Sequence, residues 1–140
     1  MVTLGDVYRQ SEHAFPTPQR IAVMRVDDLN THIRAGYRSA YLHLLASRIA
    51  SGEIDVESWR DPVLTSQEVY QRIRGLKGFG DYAAGNMLRL LGHFDRLATD
   101  TVCREVYKTL INNGTPAKDD KEIAAYYEPF GQWRGLAQWM

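Results

Sequence analysis

The sequence predicts an all-α fold, one compact helical domain over residues 1–140, and three observations carry that expectation. Apolar residues recur at three- and four-residue spacing in successive stretches, rather than alternating as they would along a half-buried strand. Polar capping residues stand at the starts of several of these stretches. Glycine, proline or asparagine stands where they stop.

Taken in order, Ile21-Ala22-Val23-Met24 has the look of a short strand, but Pro18 before it and Asp27-Asp28 after it fit two short helices better. A firmer helix begins near Tyr37, carries Tyr41, Leu42, Leu45 and Ile49 on one face, and stops at Gly52. Residues 53–64, interrupted by Pro62, read as a loop with about one helical turn. Thr65-Ser66-Gln67-Glu68 is a capping box, and Val69, Tyr70 and Ile73 give the helix it opens an apolar face as far as Leu76. Beyond a glycine hairpin, Ala83, Ala84, Met87, Leu88 and Leu91 trace a second stripe. Asp100 or Thr99 caps the next helix, which carries Val102, Cys103, Val106, Tyr107 and Leu110 and breaks at Asn112-Asn113-Gly114-Thr115-Pro116. Asp119 or Asp120 caps a helix through Ala124 and Tyr127, and a last helix carrying Trp133, Leu136 and Trp139 follows Pro129 and Gly131.

Composition removes several function classes. One cysteine, Cys103, rules out an internal disulfide framework and any four-thiolate metal or iron–sulfur site, and suggests a reducing, cytoplasmic setting. His13, His32, His43 and His93 lack ligand spacing, so no metal site is expected. No apolar run approaches the roughly 18 residues of a membrane span. The formal net charge is zero, which by itself gives no support for a nucleic-acid partner. Residues 71–108 nevertheless hold seven Lys and Arg against four Asp and Glu, a local excess of three positive charges.

That basic stretch contains the most informative motif, Leu76-Lys77-Gly78-Phe79-Gly80-Asp81-Tyr82, two glycines flanking one apolar residue between two helices. Glycine leaves no side chain between a backbone amide and a ligand, and the helix opening near Asp81 adds free N–H groups and the positive end of its dipole. A phosphate oxygen can be held there, with Lys77 adding a point charge. The plain alternative is a helix–turn–helix corner that packs and binds nothing. Eighteen residues beyond Tyr82, Asp100 is positioned as an ordinary helix cap and equally as a carboxylate that must stay charged beside a developing cation. Cys103 reads as a small core residue, and Tyr41 as helix packing.

From Arg74 to Arg104 the chain resembles the helix-hairpin-helix (HhH-GPD) DNA glycosylase superfamily, in which a Leu-x-Gly-apolar-Gly hairpin is followed at this spacing by an aspartate. Phe15-Pro16-Thr17-Pro18, Gly36-Tyr37-Arg38 with Tyr41-Leu42, and Tyr127-Glu128-Pro129-Phe130-Gly131 with Trp133-Arg134 are similar to flanking pieces of the branches that handle oxidised or alkylated purines. The resemblance implies a hairpin motif over about residues 66–93, duplex DNA carrying a damaged base as the partner, and a place in the cytoplasm, on the nucleoid in a bacterium. It implies excision of a flipped base, with Asp100 as the catalytic carboxylate. Lys77, Gly78, Phe79, Gly80, Asp81 and Arg104 would meet DNA, and Tyr37, Arg38 and Trp133 would form the base pocket. Relatives that also nick the strand carry a lysine two residues past the second glycine; Tyr82 stands at that catalytic position, implying a monofunctional enzyme. No iron–sulfur cluster is implied, while some relatives hold a monovalent cation on hairpin carbonyls. The alternative is a non-catalytic hairpin module that binds the duplex backbone or serves a partner.

The same resemblance implies a domain short at its N-terminus, since residues 1–14 cannot supply the helices that usually precede the Phe15-Pro16-Thr17-Pro18 motif. An internal methionine at position 1, a degenerate domain, and a partner covering the exposed face all stay open as explanations. An uncovered apolar patch is expected near the last helix, with Trp133 or Trp139 contributing.

Overall fold

In the computed structural model, which describes residues 7–9 and 12–140, four of the eight α-helices start at a residue whose side chain caps them. The described residues fall into two compact units, one ending at Trp59 and one running from Arg60 to Met140.

In the first unit, strands β1 (Val7–Arg9) and β2 (Glu12–His13) form a small antiparallel ribbon that no periodicity announced. Everything after it is helical. Helix α1 (Pro18–Ala22) begins as the proline motif implied: Thr17 Oγ1 accepts the Arg20 N–H at 3.3 Å, and Pro18 occupies the first turn, where its missing N–H costs nothing. Helix α2 (Val26–Ile33) ends at Arg34 in the left-handed region. Asn30 then ties the turn together, its Oδ1 accepting both the Gly36 N–H and the Ser39 hydroxyl at 2.8 Å. Ser39 lies in helix α3 (Arg38–Ala50) and is fully buried, so this bond replaces the water it loses. Ile21, Leu29 and Ala46 make the core, with Met24, Ile33 and Leu42 packed around them. His43 Nε2 donates to the Met24 carbonyl at 2.9 Å, a structural role for that histidine.

The second unit is built around one stretch of chain, residues 94–98, held by helices on either side. Helix α4 (Ser66–Arg74) opens with the capping box read from the sequence, Thr65 and Glu68 satisfying each other's backbone amides. Its Ser66 hydroxyl donates to the Asp95 carboxylate. Helix α5 (Asp81–Leu90) lies against the same stretch through Gly85, where an added Cβ would stand 2.8 Å from the Ala98 Cβ. Helix α8 (Arg134–Trp139) approaches through Gly135, whose N–H donates to the Phe94 carbonyl at 2.7 Å and whose missing Cβ would sit 2.2 Å from the Arg96 carbonyl oxygen. Only glycine permits that contact. Helix α6 (Thr101–Val106) runs into a π-helical turn, Tyr107–Ile111, closed by the Asn112 N–H on the Tyr107 carbonyl. Helix α7 (Asp120–Tyr127) is capped by Asp119, which accepts from Lys121 and Glu122 N–H groups. Tyr107, Ile123 and Tyr127 form the core between these last elements, with Leu97 and Ala137 against them. Val69, Ile73 and Leu88 are fully buried; truncating one such side chain to alanine costs ~2–5 kcal/mol.

Candidate active site and nucleic-acid interface

The hairpin between α4 and α5 is a tight turn in which the Phe79 N–H donates to the Leu76 carbonyl at 3.2 Å. Its two glycines differ. Gly78 has φ +91°, a left-handed conformation that side chains resist. Gly80 has φ −84° and ψ −179°, extended backbone open to any residue. What glycine supplies at position 80 is clearance, because an added Cβ would meet nothing within 4 Å. Gly80 is also the N-cap of α5 and offers no side-chain cap, which leaves the amides of the helix's first turn facing outward.

Asp81 and Arg74 brace this turn from within. The Arg74 guanidinium bonds the Phe79 carbonyl at 2.6 Å through Nη1 and the Asp81 carboxylate at 2.9 Å through Nε. Tyr70 also donates its hydroxyl to Asp81, and that bond, with the Arg74 charge, holds the Asp81 carboxyl below the usual carboxylate range. The Asp81 side chain is therefore committed to the α4–α5 corner, and its backbone amide is the part available to a ligand. Of the hairpin carbonyls, on which some relatives hold a monovalent cation, Leu76 and Phe79 already accept bonds from within the chain. Lys77 is exposed and Phe79 half-buried.

Asp100 is the N-cap of α6, its Oδ1 accepting the Cys103 N–H at 2.7 Å. The capping choice left open between Thr99 and Asp100 thus falls to Asp100. Its carboxylate borders a cavity of about 450 Å³ within the second unit. Tyr82, Asn86 and Arg89 come to this cavity from α5, where spacings of four and three put them on one face. Cys103 enters from α6, and Gln138 and Trp139 from α8. Gln138 clamps the wall, accepting the Ala98 N–H at 2.9 Å and donating to the Cys103 sulfur at 2.9 Å. Burial pushes the Cys103 thiol above its ordinary value, so it is a poor nucleophile.

Asp100 and Tyr82 border one cavity of the second unit, and Trp133 and Arg104 of the same unit stand outside its lining. Trp133 stacks on Phe94 at 5.8 Å and borders a different groove, of about 490 Å³, beside Tyr126, Phe130 and Leu136. The tryptophan at the Asp100 cavity is Trp139 instead. Arg104 is held by Asp120 in a two-pronged pair, with both N–O distances at 2.8 Å, so its fork is occupied. Asp120 sits below the usual carboxylate range for that reason. Tyr37 and Arg38 lie in the first unit, where Tyr37 packs edge-on to Tyr41 at 5.7 Å and the Arg38 guanidinium lies 4.9 Å from the Tyr37 ring centre. Near α8, Trp133 and Trp139 are 52% and 73% exposed, an apolar face of the kind expected there. Arg89, Asn86 and Gln138 went unnoticed in the sequence. The first two share the helical spacing of Tyr82 and were legible from it, whereas Gln138 carries no local signal.

Among the described residues no helix is long and apolar enough to cross a membrane, and no group of three or more His, Cys, Asp or Glu could hold a metal ion.

No family model matches the sequence, and no curated protein sequence matches it. Solved structures do match its fold. The chain superposes on MBOgg1 in complex with a low-affinity DNA ligand with TM-score 0.78 and 24% identity, over 97% of this chain and 47% of that one. It superposes on the Clostridium acetobutylicum 8-oxoguanine glycosylase/lyase in its apo-form with TM-score 0.74, and on the same enzyme in complex with double-stranded DNA containing cytosine opposite 8-oxoguanine with TM-score 0.75. Both are 24% identical and cover 94% of this chain, and 46% and 45% of theirs. The chain thus spans about half the length of the structures it matches. Its helical fold is the one that the hairpin resemblance implied, shared with these structures.

Proposed function

We propose that the protein is a monofunctional DNA N-glycosylase acting on an oxidised, alkylated or mismatched base turned out of the duplex, its residues 1–140 serving as one glycosylase-like domain. The observation that carries this reading is the position of Asp100, a capping carboxylate at the edge of a cavity, in the same unit as an outward-facing hairpin and in a glycosylase fold. The amides at the start of α5 hold a phosphate oxygen, Lys77 adds charge, and contacts of this kind position a protein on DNA without reading its sequence. Flipping the nucleotide costs a few kcal/mol, least for a damaged base. The bond from sugar C1′ to the base nitrogen then breaks, its electron pair leaving with the base. Asp100 offsets the positive charge growing on the sugar and orients water on C1′. Water supplies the hydroxyl, and its proton ends on a base that left as an anion, or in the solvent when a cationic alkylated base leaves neutral. With Tyr82 where strand-nicking relatives carry a lysine, no amine stands ready to attack C1′, so the backbone is left intact.

A second reading, a duplex-binding module without chemistry, is favoured by one observation, that the uncapped amides at the start of α5 can hold a backbone phosphate without any part played by Asp100. Single-turnover incubation with duplexes carrying oxidised guanine, an alkylated purine, uracil or a mismatch separates the two. Product that appears only after alkali marks a monofunctional glycosylase. Binding without product on any substrate marks the module.

A further inference from the structure

The geometry points to Arg89 as the residue that decides which class of base the Asp100 cavity accepts, favouring a neutral base with hydrogen-bond acceptors along one edge over a cationic one. The inference rests on the glycosylase reading, which it deepens. Arg89 stands on α5 two turns beyond Tyr82, half-buried, at the wall of the cavity. Its guanidinium donates through Nη2 to the Asn86 side-chain carbonyl and through Nη1 to the Gly135 carbonyl at 3.4 Å. Both acceptors are neutral, and among the described residues no ion pair includes Arg89. Arg104 and Arg74, by contrast, are each matched by a carboxylate. Removing a guanidinium from water without a counter-charge is costly, and three of its five N–H donors remain for a ligand. The cavity therefore carries one fixed positive group on α5 and one negative group, Asp100, at the start of α6.

Those two charges suit different parts of the reaction. When the C1′–N bond breaks, the electron pair goes to the base. A neutral purine leaves as an anion whose charge spreads to its ring and carbonyl acceptors, and the proton from water later neutralises it. A purine alkylated on a ring nitrogen already carries a positive charge and leaves neutral. A guanidinium at the base end lowers the energy of the departing anion and can donate in parallel to adjacent acceptors, such as the carbonyl oxygen and ring nitrogen of a guanine-type edge. The same guanidinium repels a base that arrives cationic. One residue thus shifts the two substrate classes in opposite directions, which a merely structural residue would not do.

The test compares Arg89→Met and Arg89→Lys with the unaltered chain in single-turnover excision of a neutral oxidised guanine and of a cationic ring-alkylated purine. Equilibrium binding is measured alongside, on duplexes whose lesion nucleotide carries a 2′-fluorine that slows cleavage. The unaltered chain should prefer the neutral base. Arg89→Met should reduce that preference by about five- to hundredfold, the range for a guanidinium contact to a base edge, while Arg89→Lys keeps the rejection of the cationic base. Equal loss on both substrates, or an unchanged preference in Arg89→Met, overturns the inference. If no base is excised by any protein, the glycosylase reading falls, and the binding preference on the fluorinated duplexes still decides the role of Arg89. Melting curves check folding, and Arg89→Gln, which keeps donors for Asn86 and Gly135, replaces Arg89→Met should the latter fail to fold.

Discussion

Gly78 and Gly80 allow the backbone grip to be separated from the fold. At Gly78 the backbone has φ +91°, so alanine there takes a conformation that costs an L-residue ~1–2 kcal/mol. For a domain of this length that lowers the melting temperature by roughly 3–8 °C. At Gly80 the backbone is extended and the space beyond it open, so alanine should leave the melting temperature within about 1–2 °C of the parent. The methyl group nevertheless adjoins the Asp81 amide, the first of the uncapped N–H groups of α5, on the side from which a phosphate oxygen is proposed to approach. Losing one charge-assisted amide–phosphate bond is worth ~1.5–3 kcal/mol, a weakening of about ten- to hundredfold. The assay is fluorescence anisotropy with undamaged duplexes of several sequences at two salt concentrations, beside a thermal melt. Gly80→Ala should bind every duplex more weakly and by a similar factor. A Gly80→Ala protein that melts like the parent and binds with parental affinity would refute the claim that this hairpin holds the phosphate.

Three further outcomes follow from the same geometry. Gly135→Ala puts a methyl group within 2.2 Å of the Arg96 carbonyl oxygen, and the backbone shift it forces should cost ~1–3 kcal/mol or more, seen as a lower denaturant midpoint. The Arg104 pair holds the Asp120 carboxyl below its unfolded value of about 3.9. Its stabilisation is present above that pH and lost as pH falls through the depressed folded value, so Asp120→Asn should be less stable than the parent near pH 7, should show a flatter acid limb in a stability–pH curve, and should match the parent at the lowest pH. Tyr82→Lys sets an amine at the Asp100 cavity and should yield some strand cleavage without alkali, with an enzyme–DNA adduct trapped by borohydride.

Much of the fold could be read from short-range chemistry. The Thr65–Glu68 capping box, the Thr17-Pro18 helix entry and the turn at Gly78 all involve groups within three residues of one another. Where two neighbours could cap, at Thr99 and Asp100 or at Asp119 and Asp120, only side-chain geometry chose. Contacts between distant residues were out of reach. Nothing local to Gly135 announces the carbonyl it must clear 39 residues earlier at Arg96, and Gln138 gives no hint that it bonds Ala98 and Cys103. Arg104 read as a cation for DNA because Asp120, sixteen residues on, returns to it only when α6 and α7 pack. The site was legible where chemistry is local, at the hairpin and at Asp100, and illegible where a wall is assembled from three helices.

The most direct test of the central claim is single-turnover base excision by Asp100→Asn. Asparagine caps a helix about as well as aspartate, so the bond to the Cys103 N–H and the melting temperature should survive. The charge proposed to face the sugar is lost, and excision should fall by about a hundred- to a thousandfold, or ~3–4 kcal/mol in the barrier, with duplex binding retained. An Asp100→Asn protein that folds, binds and excises at the parental rate would contradict the account.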